Sequence, residues 1–188
     1  LAAPVLPAAA QPERLLAPAP GVTISAPAQV DLGQTFTFTV TMTNPGDVGY
    51  GPFLDVVIPH MGVDGPFSNP ADGIAFNSVT LDGASLEFQV LTFDALGNAT
   101  HPYARDTLGN YLTVTGTPGD KLLVARLPFG SFVSTQPAMT ITINATLSSL
   151  ADLGVPLTIY ARSGFMFGAD PLDNWCCDAV RLSHAGAN

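Results

Sequence analysis

Residues 35–43 read TFTFTVTMT, and this stretch decides the fold class. Its apolar residues stand at every second position, with threonine between them: Phe36, Phe38, Val40 and Met42. A strand points successive side chains to opposite faces, whereas a helix repeats about every 3.6 residues, so only a strand matches this alternation. The stretch therefore predicts a strand with one polar face and one face buried against a core.

The same alternation recurs on both sides of this stretch, with turn sequences between the repeats. Asn44-Pro45-Gly46 and Asp82-Gly83 are such turns, and the second is typical of a tight hairpin. Strands are predicted at residues 21–26, 53–58, 78–81, 86–90, 111–114, 121–125, 139–145 and 157–162. Regular short strands separated by turns indicate two packed antiparallel sheets with negligible helix, which is a β-sandwich.

Composition agrees with many short strands. Glycine and proline number 18 and 17 among the 188 residues, 47% of the residues are hydrophobic, and only 11% are charged. Glycine and proline disfavour helix interiors, while threonine, valine, phenylalanine and isoleucine suit pleated strands. A chain of this length can bury a full core without disulfides or metal ions. We therefore expect a single large all-β domain over residues 21–188.

The charge balance argues against two classes of partner. The formal net charge is −9, and Lys121 is the one lysine. Nucleic acids and anionic lipid surfaces both require clustered Lys and Arg. No apolar run approaches the roughly 20 residues of a membrane-spanning helix. We expect neither a nucleic-acid partner nor membrane insertion, and we interpret the scattered aspartates as solvated turn residues.

Residues 1–20, which we call the N-terminal arm, differ from the rest. They are rich in alanine and proline, and they carry apolar side chains at Val5, Leu6, Leu15 and Leu16. The prolines prevent a continuous helix and favour an extended conformation. One interpretation is a linker. The other is an assembly arm that packs on its own domain or on a neighbouring copy, since a disordered linker is normally poorer in Leu and Val.

An arm that packs on a neighbouring copy has a consequence for assembly. Contacts of this kind repeat head to tail without closing, and they build a fibre. The chain begins at Leu1 rather than at Met, which indicates a processed or trimmed product.

Residues 21–59 resemble the immunoglobulin-like conserved-repeat domains of large exported bacterial and archaeal surface proteins. The resemblance is carried by APAQVDLGQ at 26–34, the alternating strand, TNPG at 43–46, and a strand that ends in Ile58-Pro59. A second part is similar to the opening domain of some very large exported repeat proteins: GDKLLVARLPFGSF at 119–132, ADLGVPLTI at 151–159 and FGADPLDN at 167–174. The resemblance implies an extracellular immunoglobulin-like sandwich without enzymatic role. Residues 60–118 depart from the pattern and predict a long insertion.

The sequence carries no motif of a catalytic site. Nucleophilic catalysis needs a Ser or Cys, a His and an orienting acid, and none of His60, His101 and His184 stands in such a motif. We interpret all three as loop histidines. No phosphate-binding or dinucleotide-binding glycine pattern occurs. We therefore expect no enzyme activity and no organic cofactor.

Two adjacent cysteines, Cys176 and Cys177, follow the one tryptophan. Their spacing does not match a zinc site. Three states remain open: both reduced and buried, a strained disulfide between the two neighbours, or bridges from each to another chain, which the oxidising context of export permits.

Two weaker patterns concern ligands and modification. Asp170, Asp173 and Asp178 place several oxygen ligands close together, which allows a calcium site although turn formation also explains them. Asn98 and Asn144 each begin an Asn-x-Thr sequence that fits an N-glycosylation acceptor.

Two functions follow from these observations. The first is an extracellular structural module, namely a stalk, surface-layer or filament subunit, whose partners are its own copies or neighbouring domains. The alternative is an adhesin-type binding module that recognises glycan or a partner protein through its loops. Exposed aromatic residues near polar loops favour the alternative, and the candidates are Tyr50, Tyr103, Tyr111 and Trp175. Both functions place the chain outside a prokaryotic cell or on its surface.

Overall fold

The computed structural model describes residues 18–62, 72–105 and 109–167, and the backbone of a strand at residues 183–187. These ranges contain strands and no helix, and none of them therefore offers a helix that could cross a membrane. The strands are β1 (Gly21–Ser25), β2 (Thr35–Thr43), β3 (Gly49–Ile58), β4 (Ile74–Leu81), β5 (Ala84–Ser85), β6 (Glu87–Thr92), β7 (Asn98–Arg105), β8 (Tyr111–Thr115), β9 (Lys121–Arg126), β10 (Ser131–Phe132), β11 (Met139–Leu147), β12 (Ile159–Phe167) and β13 (Ser183–Ala187).

Two antiparallel sheets form a sandwich, and a hairpin covers one of them. Sheet A has the strand order β1-β2-β11-β4-β5. Sheet B has the order β13-β12-β3-β9-β6, and β10 pairs with the beginning of β3. Strands β7 and β8 pair only with each other within the described part of the chain, and we call them the hairpin layer. The predicted all-β, antiparallel sandwich is confirmed.

The inner core lies between sheets A and B. Phe38, Val40 and Met42 of β2 are at most 1% exposed, and they belong to one cluster with Leu54 and Val56 of β3. The threonines of β2 lie on the other face of sheet A, where Thr37 Oγ1 donates to Asn144 Oδ1 of β11 at 2.6 Å. The alternation in residues 35–43 therefore arises, as predicted from the sequence, because one face of β2 is buried in the core and the other is polar.

A smaller outer core lies between sheet B and the hairpin layer. Leu122 and Val124 of β9 belong to it together with Ala99 of β7 and Val114 of β8, while Leu123 packs in the inner core. Residues 122–125 are all 0% exposed, because β9 is covered on both faces. The expectation of two layers is thus incomplete, and the unbroken apolar run of β9 is the pattern of a doubly covered strand.

The predicted turns and strand limits hold in most places. Asp82 and Gly83 have φ values of 49° and 81°, as a tight hairpin turn between β4 and β5 requires. Strand β2 has the predicted limits, whereas β3 begins at Gly49 rather than at Phe53. Strands β5, β7, β10 and β13 have no counterpart among the strands predicted from sequence.

The two ends of the sandwich differ. At one end, Gly21 pairs with Thr43, Pro18 and Pro20 are buried, and the Ala19 N–H donates to Asn44 Oδ1 at 3.0 Å. At the other end lie the beginning of β12 and the segment that follows β1. We call them the Pro18 end and the Ile159 end.

Candidate functional site

A buried carboxylate lies in the middle of sheet B. Asp55 of β3 is 1% exposed and stands between Leu54 and Val56, which point into the inner core. Since neighbours on a strand face opposite sides, Asp55 lies on the outer face, under the hairpin layer. A buried carboxylate is unfavourable unless it is paired and hydrogen-bonded. Its Oδ1 lies 2.8 Å from Nε2 of His101, and its Oδ2 lies 2.7 Å from Nε of Arg162.

The hydrogen bonds around His101 define its tautomer. Its Nδ1 accepts from the backbone N–H groups of Tyr103 at 3.0 Å and Ala104 at 2.6 Å. A ring nitrogen that accepts cannot carry the proton, so the proton is on Nε2, which donates to Asp55. His101 is 0% exposed and both of its nitrogens are engaged. The imidazole therefore links the hairpin layer to sheet B and offers no lone pair to a substrate.

Arg162 completes the group from the neighbouring strand. It lies directly opposite Asp55 in the pairing of β12 with β3, and it is 24% exposed. Only its Nε contacts Asp55. Within the described ranges its two terminal nitrogens have no hydrogen-bond partner. These nitrogens carry four N–H donors at the wall of an open space.

That space is a cavity of about 250 Å³ between β8 and β12, on the outer face of sheet B. Asp55 and Arg162 form part of its floor, and Tyr160 of β12 lies at its side with 41% of its surface exposed. Thr115 and Thr117, at the end of β8 and in the loop after it, contribute hydroxyl groups. We call it the Arg162 cavity.

Asp120 brings a second carboxylate to the Arg162 cavity. It is 6% exposed and its Oδ1 accepts from the Met61 N–H at 3.2 Å. Burial raises the pKa of the Asp120 carboxyl above its ordinary value of 3.8, and hydrogen bonds from the backbone of Met61 and His60 oppose this rise. The wall therefore combines two carboxylates with one guanidinium.

A second open space is an apolar groove of about 480 Å³. It lies between the segment after β1 and the segment before β12, at the Ile159 end. Leu153 is 83% exposed at its rim, and Leu32 and Val155 are 37% and 36% exposed. Its lining is mostly apolar and includes two acids: Ala26, Pro27, Ala28, Gln29, Val30, Asp31, Leu32, Phe36, Ile74, Leu147, Ala151, Asp152, Leu153, Gly154, Val155, Pro156, Leu157 and Ile159.

Two interpretations made from sequence are wrong. His101 is not a loop histidine but a buried residue of β7, and His184 lies within β13, whereas His60 does follow a strand end as predicted. The aspartates are not all solvated turn residues, because Asp55 and Asp120 are buried. Burial is possible because Arg162 and His101 pair with Asp55 and backbone N–H groups pair with Asp120.

Most of the site residues predicted from sequence lie outside the described residues. These are Val5, Leu6, Leu15 and Leu16 of the arm, the cysteines Cys176 and Cys177 with Trp175, and the calcium candidates Asp170, Asp173 and Asp178. Within the ranges that the structure does describe, no group of three or more His, Cys, Asp or Glu side chains could hold a metal ion.

The remaining predicted residues lie on strands. Asn98 is half-buried at the start of β7, and Asn144 lies in the middle of sheet A, where its Nδ2 donates to Ser78 Oγ at 3.1 Å. Tyr111 is 48% exposed, and the Arg105 guanidinium lies 3.8 Å above the centre of its ring. Tyr103 packs against the outer core, so it is not the exposed aromatic that the binding hypothesis predicted.

Of the buried group, only Asp55 is recognisable from its surroundings in the sequence. Asp55 is an acid inside the apolar run Phe53-Leu54-Asp55-Val56-Val57-Ile58. A charge in such a run is rarely left unpaired, so it predicts a basic or hydrogen-bonding partner from another strand. The sequence does not identify Arg162 and His101 as those partners, because 107 and 46 positions separate them from Asp55.

Comparison with known proteins adds weak likenesses. No protein-family model matches the chain, and no curated protein matches it either. One similar solved structure is AvmM, which catalyses macrocyclisation in alchivemycin A biosynthesis, with 15% identity and a TM-score of 0.44 over 89% of this chain and 86% of that one. Another is the pilus backbone RrgB from Streptococcus pneumoniae, with 12% identity and a TM-score of 0.31 over 81% of this chain and 53% of that one.

A third is the cohesin module from a family 33 glycoside hydrolase of Clostridium perfringens, with 10% identity and a TM-score of 0.30 over 90% of this chain and 95% of that one. The three proteins differ in what they do, and likenesses this low transfer no function. The fold class of this chain therefore rests on its own strands and sheets.

Proposed function

We propose that this chain is a non-catalytic structural module of an exported surface protein, and that its copies assemble head to tail. In this assembly the part of the N-terminal arm before Pro18 of one copy lies in the apolar groove of the next. One observation carries the proposal: the groove lies at the Ile159 end, whereas the described chain begins at the Pro18 end. Donor and acceptor at opposite ends are what a polar fibre requires.

The direction of the chain at the Pro18 end favours a neighbour over the same molecule. From Pro18 the chain runs into β1 and towards its own groove, so Pro18 lies at the end of the domain that is far from this groove. Pro18 and Pro20 are buried and Ala19 is bonded to Asn44, which fixes this point of departure. An arm that returned to its own groove would have to reverse and run back along β1, about 17 Å at strand rise.

The chemistry of arm and groove is complementary. The groove is lined mainly by Ala, Val, Leu, Ile and Pro, and the arm offers Val5, Leu6, Leu15 and Leu16. A volume of about 480 Å³ is within the roughly 300–1,000 Å³ of cavities that enclose an apolar guest.

The non-catalytic part of the proposal is supported by the buried group. His101 has both nitrogens engaged, and Asp55 is occupied on both oxygens. Neither is poised to move a proton to or from a bound molecule. The location outside the cell is supported by the low charged fraction and by the resemblance of residues 21–59 to surface-protein repeats.

The test uses the full chain and substitutions that leave the core alone. Leu153→Asp places a charge at the groove rim, and Leu15→Asp with Leu16→Asp places charges on the arm. We expect the unaltered chain to form particles larger than a monomer in light scattering, and each altered chain to be monomeric. Leu96→Asp is the matched control, because Leu96 is 84% exposed, as Leu153 is 83% exposed, but lies in the turn between β6 and β7.

Mixing the two altered chains separates the possible arrangements. The groove variant keeps its arm and the arm variant keeps its groove, so an equimolar mixture is expected to form dimers that grow no further. If both variants stay the size of the unaltered chain but melt at a lower temperature, the arm lies in its own groove. If neither size nor melting temperature changes, the arm is a linker and the proposal is wrong.

The alternative function, a binding module, is favoured by a different observation, the Arg162 cavity.

A further inference from the structure

We propose that the Arg162 cavity, between β8 of the hairpin layer and β12 of sheet B, is a binding site for one neutral sugar unit. The proposal is independent of the assembly described above. It assigns a ligand class to a part of the molecule that the arm and groove do not use. Thr158 and Tyr160 line the cavity, while Ile159 between them lines the groove, so the two sites lie on opposite faces of one strand.

Stability alone does not explain the charged residues beside the cavity. A buried ion pair is often no more stabilising than well-packed apolar residues of the same volume. The outer core already contains Phe93, Leu122 and Val124, so apolar side chains could have filled this layer as they fill the inner core. The layer instead holds Asp55, His101 and Arg162 next to an open space.

The polar groups suit hydroxyl-bearing molecules. The terminal nitrogens of Arg162 can only donate, and the Thr115 hydroxyl can both donate and accept. The Thr117 hydroxyl already donates to the Asp120 carboxylate, so it can only accept from a ligand. A sugar hydroxyl is itself both donor and acceptor, so adjacent hydroxyls of one ring can bridge such a set. Asp55 holds Nε of Arg162 at 2.7 Å and so fixes the plane of the guanidinium.

The charged side chains in the wall of the Arg162 cavity disfavour both anionic and cationic ligands. One guanidinium faces two carboxylates, so an anionic ligand meets net repulsion. The Asp55 carboxylate is already satisfied by Arg162 and His101, and the Asp120 carboxylate accepts from the backbone of Met61 and His60 and from the Thr117 hydroxyl. A cation would therefore have to displace existing bonds at either carboxylate. A neutral ligand avoids both penalties.

The volume of the cavity and one of its aromatic side chains agree with a single sugar ring. A volume of about 250 Å³ is slightly below the roughly 300–1,000 Å³ of pockets for drug-sized ligands. Tyr160, 41% exposed, provides an aromatic surface at the side of the cavity for the C–H face of the ring.

The experiment is a titration of the isotope-labelled full chain, followed by NMR of the backbone amides. The probes are methyl glucopyranoside and methyl galactopyranoside as neutral sugars, glucuronate as an anion and glucosamine as a cation. We expect at least one neutral sugar to shift the amide signals of Thr115, Gly116 and Tyr160, and both charged sugars to bind more weakly. Tighter binding of glucuronate or glucosamine would overturn the assignment to a neutral ligand. The absence of any shift at millimolar concentrations would overturn the site.

Variants test the site without disturbing the buried group. Thr115→Val removes one hydroxyl and is expected to weaken binding about 2–10-fold, the effect of one neutral hydrogen bond. Thr113→Val is the matched control, because Thr113 is an exposed threonine of the same strand that does not line the cavity. Tyr160→Ala removes the aromatic surface and is expected to weaken binding about 2–10-fold. Equal affinity in Thr115→Val, Thr113→Val and Tyr160→Ala would show that the sugar binds elsewhere and would end the proposal.

Discussion

The inner and outer cores of this protein are both apolar, but only the outer core adjoins a buried group of charged and polar side chains. The inner core, between sheets A and B, is a continuous apolar cluster that includes Phe38, Val40 and Met42. The outer core, between sheet B and the hairpin layer, has five buried apolar residues among those that the structure describes, and it adjoins the group of Asp55, His101 and Arg162. One layer of the protein is thus held by packing, and the other by packing together with a few directional hydrogen bonds.

This difference shows how a third layer is held in one position on a sandwich of two sheets. Apolar contacts are not directional, so a small apolar patch would let a hairpin slide over the sheet. The bonds from His101 to Asp55, and from the backbone of Tyr103 and Ala104 to His101, allow one position only. The same bonds leave polar groups at the edge of the layer, where a cavity can hold a ligand.

The largest expected effect is the loss of Asp55. Asp55→Ala leaves the His101 Nε2–H and the Arg162 Nε–H without their acceptor in a buried place. We expect the free energy of unfolding to fall by about 3–5 kcal/mol, measured by urea denaturation. Glu87→Ala is the control, because Glu87 is an exposed acid of β6 that lines neither the groove nor the Arg162 cavity, and it is expected to change the free energy of unfolding by less than about 1 kcal/mol. A loss below about 1 kcal/mol in Asp55→Ala would show that the buried group does not hold the outer layer.

Truncation of two neighbouring leucines compares how much the two cores contribute to the free energy of unfolding. Leu123 lies in the inner core and Leu122 in the outer core, and both are 0% exposed. Truncation to alanine typically destabilises by about 2–5 kcal/mol, and less where the surroundings can close on the cavity. We expect Leu122→Ala to cost less than Leu123→Ala, because the thin hairpin layer can settle onto sheet B. Equal losses in denaturation would mean that the outer layer is as rigid as the inner one.

His101→Phe tests the hydrogen bonds that the imidazole nitrogens of His101 make. Phenylalanine keeps an aromatic ring but leaves the N–H groups of Tyr103 and Ala104 without an acceptor. We expect a total loss of about 1–3 kcal/mol, because the Ala104 N–H is buried and the Tyr103 N–H is only partly buried. Hydrogen exchange of β7 and β8 should accelerate while that of β2 and β11 stays slow. Uniform acceleration in all strands would contradict the separate role of the hairpin layer.

The smallest effect is expected at Asp120 and concerns pH. Burial raises the pKa of the Asp120 carboxyl above 3.8, so between 3.8 and the raised value the native state holds a proton that the unfolded state has lost. Stability from this group is therefore greatest below pH 3.8 and falls as pH rises through that window. Asp120→Asn removes this fall, so the variant should gain stability relative to the unaltered chain as pH rises. A constant difference between the two denaturation profiles would show that the carboxyl is not perturbed.

Sequence reasoning succeeded where one face of a strand is buried. The period of two in residues 35–43 gave the limits of β2, and the Asp82-Gly83 turn gave the hairpin of β4 and β5. Local spacing is sufficient there, because alternation depends only on neighbours along the chain.

It failed where a strand lacks a clean period or where partners are distant in sequence. Strand β7 (Asn98–Arg105) contains His, Pro and Arg and lacks a clean period, because its burial depends on contacts with sheet B and β8. The pairing of Asp55 with Arg162 comes from the register of β3 against β12, which no local pattern contains. The groove and the cavity are likewise gaps between segments that are far apart in sequence.

The arrangement of strands β1 and β13 has a consequence for the resistance of the domain to a pulling force. Strand β1 begins at the Pro18 end, and β13 ends opposite Ile159, while β1 and β13 lie side by side along one edge of the sandwich. A pulling force applied through these two strands would run nearly parallel to them. It would load the ladder of β1 on β2 and the ladder of β13 on β12 in shear, so that their hydrogen bonds must yield together rather than one after another. Resistance to such a force is set by the rate of unfolding, and shear geometry keeps that rate low under tension.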